Sequence, residues 1–282
     1  RRLDAQENFD LETSLTIIIP TYNEEKNIEK CLSNVLRSKA PCEAWDIIVV
    51  DDSSTDKTIE IAKNTAKKTD SLCKNFQIIE AGPRPKSKKW VGKNWACHKA
   101  SGLIKSQWVL FLDADVKVEA STLKRSLLEA IDKQADLLSL APRISCDCLT
   151  EWMVQPIMAT LLGIGFPIKS TNDPKSKKAF AAGPFMLFKR SAYLTVGGHR
   201  QVAGEVVEDI ALATLIKNSE LTLLFLLGLD AVELRMYENF QALWEGWSKN
   251  WFIGLDKSIT KSISASSIVF IMFTGPWLSL TT

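Results

Sequence analysis

The sequence predicts an α/β fold with a mostly parallel central sheet flanked by helices, and three observations carry that expectation. Short apolar, β-branched runs alternate with helical patterns from Leu15 to Leu112, the rhythm of strand–helix–strand units in a parallel sheet. The runs ending near Pro20, Val50 and Leu112 each close in a polar cluster: Thr21 to Glu24, Asp51 to Asp56, and Asp113 to Asp115. Ligands of such sheets bind outside the carboxyl ends of the strands, so topology and chemistry agree. The composition is that of an ordinary globular chain, with 46% hydrophobic residues, 24% charged residues and a formal net charge of +2 over 282 residues. It excludes a disordered tail, a collagen-like repeat and a wholly membrane-embedded transporter. The near balance of charge also argues against a dedicated nucleic-acid binder.

The elements follow in order. Leu15 to Pro20 is a continuous apolar run and reads as a buried strand. From Asn23 a helical pattern opens, with Ile28, Cys31, Leu32, Val35 and Leu36 on one face. Asp46 to Val50 is the next strand, and the Asp51 to Asp56 run is a loop and helix-start signal. A helix through Ile59, Ile61 and Ala62 follows, then strands at Phe76 to Ile79 and Trp108 to Leu112.

The second half is less regular. Ala181 to Phe188 reads as a turn feeding a strand, Ser191 to Val196 as a short helix ended by Gly197-Gly198, Val206 to Leu215 as a helix, and Leu221 to Leu227 as a strand. Met153 to Ile168 is apolar but holds Pro156, Gly163, Gly165 and Pro167, so it is not expected to be one long helix. It reads as an interfacial segment on a membrane or as an ordinary core helix.

The ends and the cysteines bound the setting. No charged residue occurs from Ser262 to Thr282, a run reaching the roughly 20 residues a membrane span needs; a buried C-terminal helix is the other reading. Lys249, Lys257 and Lys261 before the run place the preceding domain on the cytoplasmic side. Arg1-Arg2 reads as a cut after an upstream segment such as a membrane anchor, and no signal peptide is visible. The six cysteines lack zinc-site spacing and read as reduced, mostly buried thiols.

Four motifs carry chemistry. Asp113 and Asp115 lie on alternate positions at a strand end, where two carboxylates share a hard cation such as Mg²⁺ or Mn²⁺ and the phosphates it binds. Asp51-Asp52 can accept hydrogen bonds from a nucleobase or ribose, although N-capping explains part of that run. Arg84 to Lys93 forms a basic loop interleaved with Trp90, which suits a pyrophosphate or anionic headgroups. Glu208-Asp209 offers either a favourable helix start or a general base. Two histidines cannot build a histidine-rich metal site, and no G-x-S-x-G elbow, phosphate loop or G-x-G-x-x-G turn is present. Hydrolase, ATPase and Rossmann dehydrogenase readings therefore lose support.

Taken in order, Ile19-Pro-Thr-Tyr-Asn-Glu-Glu25, Val50-Asp-Asp-Ser-Ser-Thr-Asp56, Phe111-Leu-Asp-Ala-Asp115, Gly183-Pro-Phe-Met-Leu-Phe-Lys189 with Gly197-Gly198-His199, and Glu208-Asp209 resemble the family-2 glycosyltransferases of the GT-A fold. The resemblance covers roughly residues 15 to 255. Trp90-Val-Gly-Lys93 with Trp95-Ala-Cys97, and Arg235 to Gln241 with Glu245-Gly-Trp247, look most like the carotenoid-type members, those of diaponeurosporenoate and hydroxycarotenoids. The resemblance implies that Thr21, Tyr22, Glu24 and Asp52 hold a uridine, that Lys93 lies near the donor diphosphate, and that Asp113 meets ribose or metal. It implies Asp115 as ligand of Mn²⁺ or Mg²⁺, Asp209 as base and Glu208 as its support. Gly183, Trp244 and Trp247 would line an acceptor groove, although the tryptophans equally suit an interfacial anchor.

The expected activity is inverting transfer of one sugar, glucose, from a UDP-sugar to a membrane-embedded lipid or carotenoid. Processive members carry Q-x-x-R-W, and Trp244 to Trp251 lacks it, so single-sugar transfer is expected. The expected organisation is a lead-in over 1–14, a catalytic domain over 15–258 and a membrane segment over 262–282. A ceramide or diacylglycerol glycolipid synthase and a non-catalytic membrane-bound sugar-nucleotide binder are the alternatives; a pyrophosphorylase would need a glycine-rich turn that Pro20 to Glu24 is not.

Overall fold

A computed structural model describes residues 12–237, 239–254 and 258–279. The chain divides into two compact units, residues 1–146 with 155–235, and residues 147–154 with 236–282. In chain order the elements are β1 (Ser14–Thr21), α1 (Ile28–Leu36), β2 (Ala44–Asp51), α2 (Thr58–Lys68), β3 (Asn75–Glu80), α3 (Gly92–Ser101) and β4 (Trp108–Leu112). There follow β5 (Lys117–Val118), α4 (Thr122–Asp132), β6 (Leu137–Ile144), α5 (Leu149–Gly165), α6 (Ile168–Thr171) and β7 (Phe185–Lys189). The last are α7 (Arg190–Thr195), α8 (Gly198–Gln201), α9 (Glu208–Asn218), β8 (Leu223–Leu234), α10 (Phe240–Gly254) and α11 (Ile259–Ser279).

The first unit is built on one eight-stranded sheet of order β3-β2-β1-β4-β7-β6-β8-β5. The early apolar runs pair in parallel, β1 with β2 and β4, and β2 with β3. Strand β6 is parallel to β8, whereas β7 is antiparallel to both neighbours and β5 is antiparallel to β8. The sheet is therefore mixed. The expected parallel rhythm holds where each strand is followed by a helical crossover, which parallel pairing requires. Burial follows the sequence pattern: Ile17, Ile18 and Ile19 are fully buried, and α1 buries Ile28, Cys31, Leu32, Val35 and Leu36 on its inner face.

Two expectations are corrected. Residues 153–168 do include a long helix, because α5 runs unbroken from Leu149 to Gly165 with Pro156 inside it. A proline removes one helical N–H, and here about two turns on either side carry the helix past the gap; Gly163 and Gly165 fall in its last turn. The basic stretch is not loop throughout, since Gly92 and Lys93 open α3 after Val91, whose extended φ of −81° and ψ of 146° set the helix start.

In the second unit, α10 carries Trp244 and Trp247, with the Tyr237 and Trp247 rings edge to face at 6.3 Å. Among the described residues no helix is long and apolar enough to cross a membrane. Residues 1–11 of the expected lead-in and 280–282 of the expected membrane segment lie outside the described residues.

Candidate functional site

Strand register assembles the site. Thr21 pairs with Asp51, and Ile18 pairs with Phe111, so β1, β2 and β4 end at one edge of the sheet and present Thr21, Asp52 and Asp113 there. Because β7 runs antiparallel to β4, Phe185 sits opposite Leu112 and the turn before it returns to the same edge. The Asp113 N–H donates to the Pro184 carbonyl at 3.1 Å. A cleft of about 410 Å³ opens there, and Thr21, Tyr22, Glu24, Asp52, Arg84, Gly92, Lys93, Asp113 and Asp115 line it. Every side chain expected to bind donor or metal thus borders one cavity.

Lys93 is the electrostatic centre. Its Nζ lies 2.7 Å from Asp113 Oδ1 and 2.8 Å from Glu208 Oε1. Burial opposes its charge, but the Asp113 and Glu208 carboxylates outweigh burial and hold its pKa well above the ordinary lysine value. Asp209 sits beside this bridge: its Oδ2 accepts the Gly183 N–H at 2.9 Å and its Oδ1 accepts the Ile210 N–H at 2.8 Å. Burial, reinforced by the Glu208 charge, raises the Asp209 carboxyl to about 7. A Cβ on Gly183 would lie 3.1 Å from Asp209 Oδ2 and 3.4 Å from Lys93 Nζ, so a larger residue there would press on both side chains.

The two nucleotide-side loops are laced together. Asn23 Oδ1 accepts the Thr55 N–H at 2.8 Å, the Glu24 N–H donates to the Thr58 hydroxyl at 2.7 Å, and the Glu25 N–H donates to Asp56 Oδ2 at 3.1 Å. Asn23 and Ser53, one in each loop, adopt left-handed conformations with φ of 55° and 69°. The Asp51-Asp52 pair divides its labour. Asp51 accepts bonds from the Ser54 N–H at 3.0 Å and the Thr21 hydroxyl at 3.2 Å, which shape the loop. Asp52 faces the cleft and pairs with Arg84. In the sequence Arg84 is only part of a basic run; a basic side chain preceding a helix start carries no sign that it will pair with Asp52.

The carboxylates facing the cleft fit a hard divalent cation. Burial, with the Asp113 and Glu24 carboxylates adding to it, raises Asp115 to about 7. Burial likewise raises Glu24, with Asp113 and Asp56 adding to it. Among the described residues no group of three or more His, Cys, Asp or Glu side chains is placed to hold a metal ion by itself. An ion on Asp113 and Asp115 would therefore take its remaining ligands from phosphates and water, as Mg²⁺ commonly does. Trp244 and Trp247 belong to the second unit, where Trp244 is 63% exposed.

Sheet and cleft together define a GT-A-like α/β fold with its polar site at the carboxyl edge. The Glycosyl transferase family 2 model matches residues 16–197, and the chain belongs to that family. Among its relatives, the 4,4'-diaponeurosporenoate glycosyltransferases of Staphylococcus aureus strains USA300 and MRSA252 are 29% identical over 255 residues, 89% of this chain. The chain spans 64% of the length of those relatives. Among solved structures, the mannosyltransferase from Pyrobaculum calidifontis in complex with GDP-Man and Mn²⁺ matches with a TM-score of 0.59 at 20% identity, covering 85% of this chain and 63% of that one. S. aureus TarS in complex with UDP-GlcNAc matches with a TM-score of 0.54 at 16% identity, covering 82% and 60%.

Proposed function

We propose that this chain transfers one glucose from a UDP-sugar to a membrane-embedded carotenoid acceptor, inverting the anomeric centre and adding no second sugar. The observation that carries the reading is the single cleft in which Thr21, Tyr22, Asp52, Asp113 and Asp115 meet Lys93, with Lys93 bridging to the Glu208-Asp209 turn. The S. aureus relatives, named for a carotenoid acceptor, support the acceptor class. The complex of TarS with UDP-GlcNAc supports the donor class.

In this reading Tyr22, 59% exposed at the cleft mouth, stacks on the base, while Thr21, Glu24 and Asp52 hold the nucleoside. Asp113 and Asp115 hold Mn²⁺ or Mg²⁺, which when bound supplies positive charge against the departing diphosphate. Lys93 adds a fixed cation beside the same phosphates. The acceptor oxygen forms a bond to the anomeric carbon as its bond to the diphosphate breaks, and UDP leaves. For a hydroxyl acceptor, the proton passes to Asp209, with Glu208 fixed by Lys93 at its side. For a carboxylate acceptor no proton is lost, and Asp209 positions the acceptor alone.

Membrane association is part of the proposal. Helix α5 is inverted in polarity, burying Glu151 and Gln155 while exposing Trp152 and Met153. Phe240, Trp244, Ile263, Ile268 and Phe270 are also exposed on α10 and α11. Apolar and tryptophan side chains next to Lys249 and Lys261 suit an interface with the cytoplasmic leaflet. The test is UDP release from UDP-glucose in micelles carrying diaponeurosporenoic acid, ceramide or diacylglycerol, with products read by mass spectrometry. A glucosyl ester of the carotenoid is expected; glucosylceramide or glucosyldiacylglycerol alone reassigns the acceptor. Turnover that survives both chelation and Asp115→Ala overturns the metal-dependent reading.

A further inference from the structure

We infer that Asn94 is a positioning residue that sets the Glu208-Asp209 turn against Lys93. Asn94 follows Lys93 in the first turn of α3 and is fully buried, at 0% exposure. The two hydrogens of its Nδ2 serve one loop, donating to the Val202 and Glu205 carbonyls at 2.8 Å each, with the Ala203 carbonyl sharing one of them at 3.3 Å. The Val91 N–H adds a fourth bond, to the Ala203 carbonyl at 2.8 Å. That loop runs directly into α9, whose first two residues are Glu208 and Asp209.

Neighbouring residues of one helix therefore grip the same structure at two points. Lys93 holds the Glu208 side chain, and Asn94 holds the backbone leading to it. Since Lys93 also contacts Asp113, the first turn of α3 ties the nucleotide side of the cleft to the turn bearing Asp209. An apolar side chain could fill the same space but would leave the Val202 and Glu205 carbonyls without their amide donor. The other end of the amide shows what is being retained: Asn94 Oδ1 is buried and has no hydrogen-bond partner among the described residues. A buried acceptor without a partner is unfavourable, so the bonds at Nδ2 are the reason an amide fits here. The sequence Gly92-Lys93-Asn94-Trp95 disclosed the lysine and hid the asparagine, because the carbonyls it serves lie more than 100 positions away.

The inference rests on the proposed roles of Lys93 and Asp209 for its catalytic consequence, but its structural content stands apart from them. The experiment compares the full chain with Asn94→Ala in three measurements. Hydrogen exchange of the 202–209 segment should quicken by tenfold or more, while exchange at β1 and β2 stays unchanged. Binding of UDP with Mn²⁺ should change less than about threefold, because the residues lining the nucleotide cleft keep their places. UDP release from UDP-glucose should fall about 10- to 100-fold, a shift of tenfold for each 1.4 kcal/mol of lost positioning. Unchanged exchange and turnover overturns the inference, as does equal loss of UDP binding and turnover, which marks Asn94 as an ordinary core residue. If Asn94→Ala does not fold, Asn94→Ser, which leaves a single hydroxyl donor in place of the amide hydrogens, takes its place, and the same three measurements decide. Wild-type protein that releases no UDP sinks the proposed activity, and the exchange result then decides the inference by itself.

Discussion

At Asp209 the acceptor chemistry can be read from the sign of a pH dependence. Burial and the Glu208 charge bring its carboxyl to about 7, so its charge changes within the working range. A hydroxyl acceptor needs the ionised form to receive its proton, so kcat/KM should rise as pH increases through about 7 and level off above it. A carboxylate acceptor is repelled by the ionised form and meets a hydrogen-bond donor in the neutral one, so the sign reverses and turnover falls above pH 7. Asp209→Asn separates the two again. It should reduce transfer to a hydroxyl by 10²- to 10⁴-fold while leaving transfer to a carboxylate within about tenfold, with UDP binding intact in both. Near wild-type transfer to a hydroxyl removes Asp209 as the base. His199 behaves in the opposite way at the same scale. Burial drives it down to about 3, its Nδ1 pairs with the Tyr193 hydroxyl at 2.8 Å, and its ring meets Phe111 edge to face at 4.5 Å. It is a neutral core imidazole across the physiological range.

Helix starts and turns, more than strands, decide how closely the pieces of this site approach. A Cβ at Gly92 would stand 2.5 Å from Asp52 Oδ2 and 2.9 Å from the Arg84 guanidinium. Both are ends of movable side chains, so Gly92→Ala should fold but press the ion pair into the cleft, raising KM for the UDP-sugar roughly tenfold, about 1.4 kcal/mol, with kcat less affected. Gly198 is the contrasting case. Its φ is +52° and a Cβ would run into the Tyr193 ring, which is itself buried. Gly198→Ala should therefore destabilise the fold by about 2 kcal/mol, lowering Tm by roughly 4–8 °C in calorimetry; an unchanged Tm would show that the ring yields. These two positions also mark where the sequence stops being informative. The strand ends, the Asp113 and Asp115 pair and the Glu208-Asp209 helix start are legible in it, because apolar periodicity and acidic clusters are local signals. Strand β6 is not, since Pro142 and Arg143 interrupt its pattern at a register shift. The antiparallel entry of β7 is not either, and that entry brings Gly183 to Asp209. The Arg84–Asp52 pair and the Asn94 clamp join segments that only the folded sheet brings together.

Across the whole molecule, the cleft draws side chains from β1, the loop after β2, α3 and the turn after β4, which belong to the same compact unit. A ligand that fills it binds the folded chain and not the unfolded one, and so must raise thermal stability by mass action. At a hundred times its dissociation constant, UDP with Mn²⁺ should add about 2.7 kcal/mol, which for a unit of this size is roughly 5–10 °C in Tm. The dependence on metal is the informative part. Asp113 and Asp115 crowd negative charge where a diphosphate would lie, and Lys93 is already engaged by two carboxylates. UDP without a divalent cation therefore meets net repulsion at its phosphates and should shift Tm by only a degree or two. Adding Mn²⁺ or Mg²⁺ should restore the full shift, EDTA should reverse it, and Asp115→Ala should lose the metal-dependent increment while keeping the small shift from the nucleoside. The same shift with and without metal, in wild type and Asp115→Ala alike, would mean that Lys93 and Arg84 neutralise the diphosphate unaided, and the Asp113 and Asp115 pair would then need a role other than holding a cation.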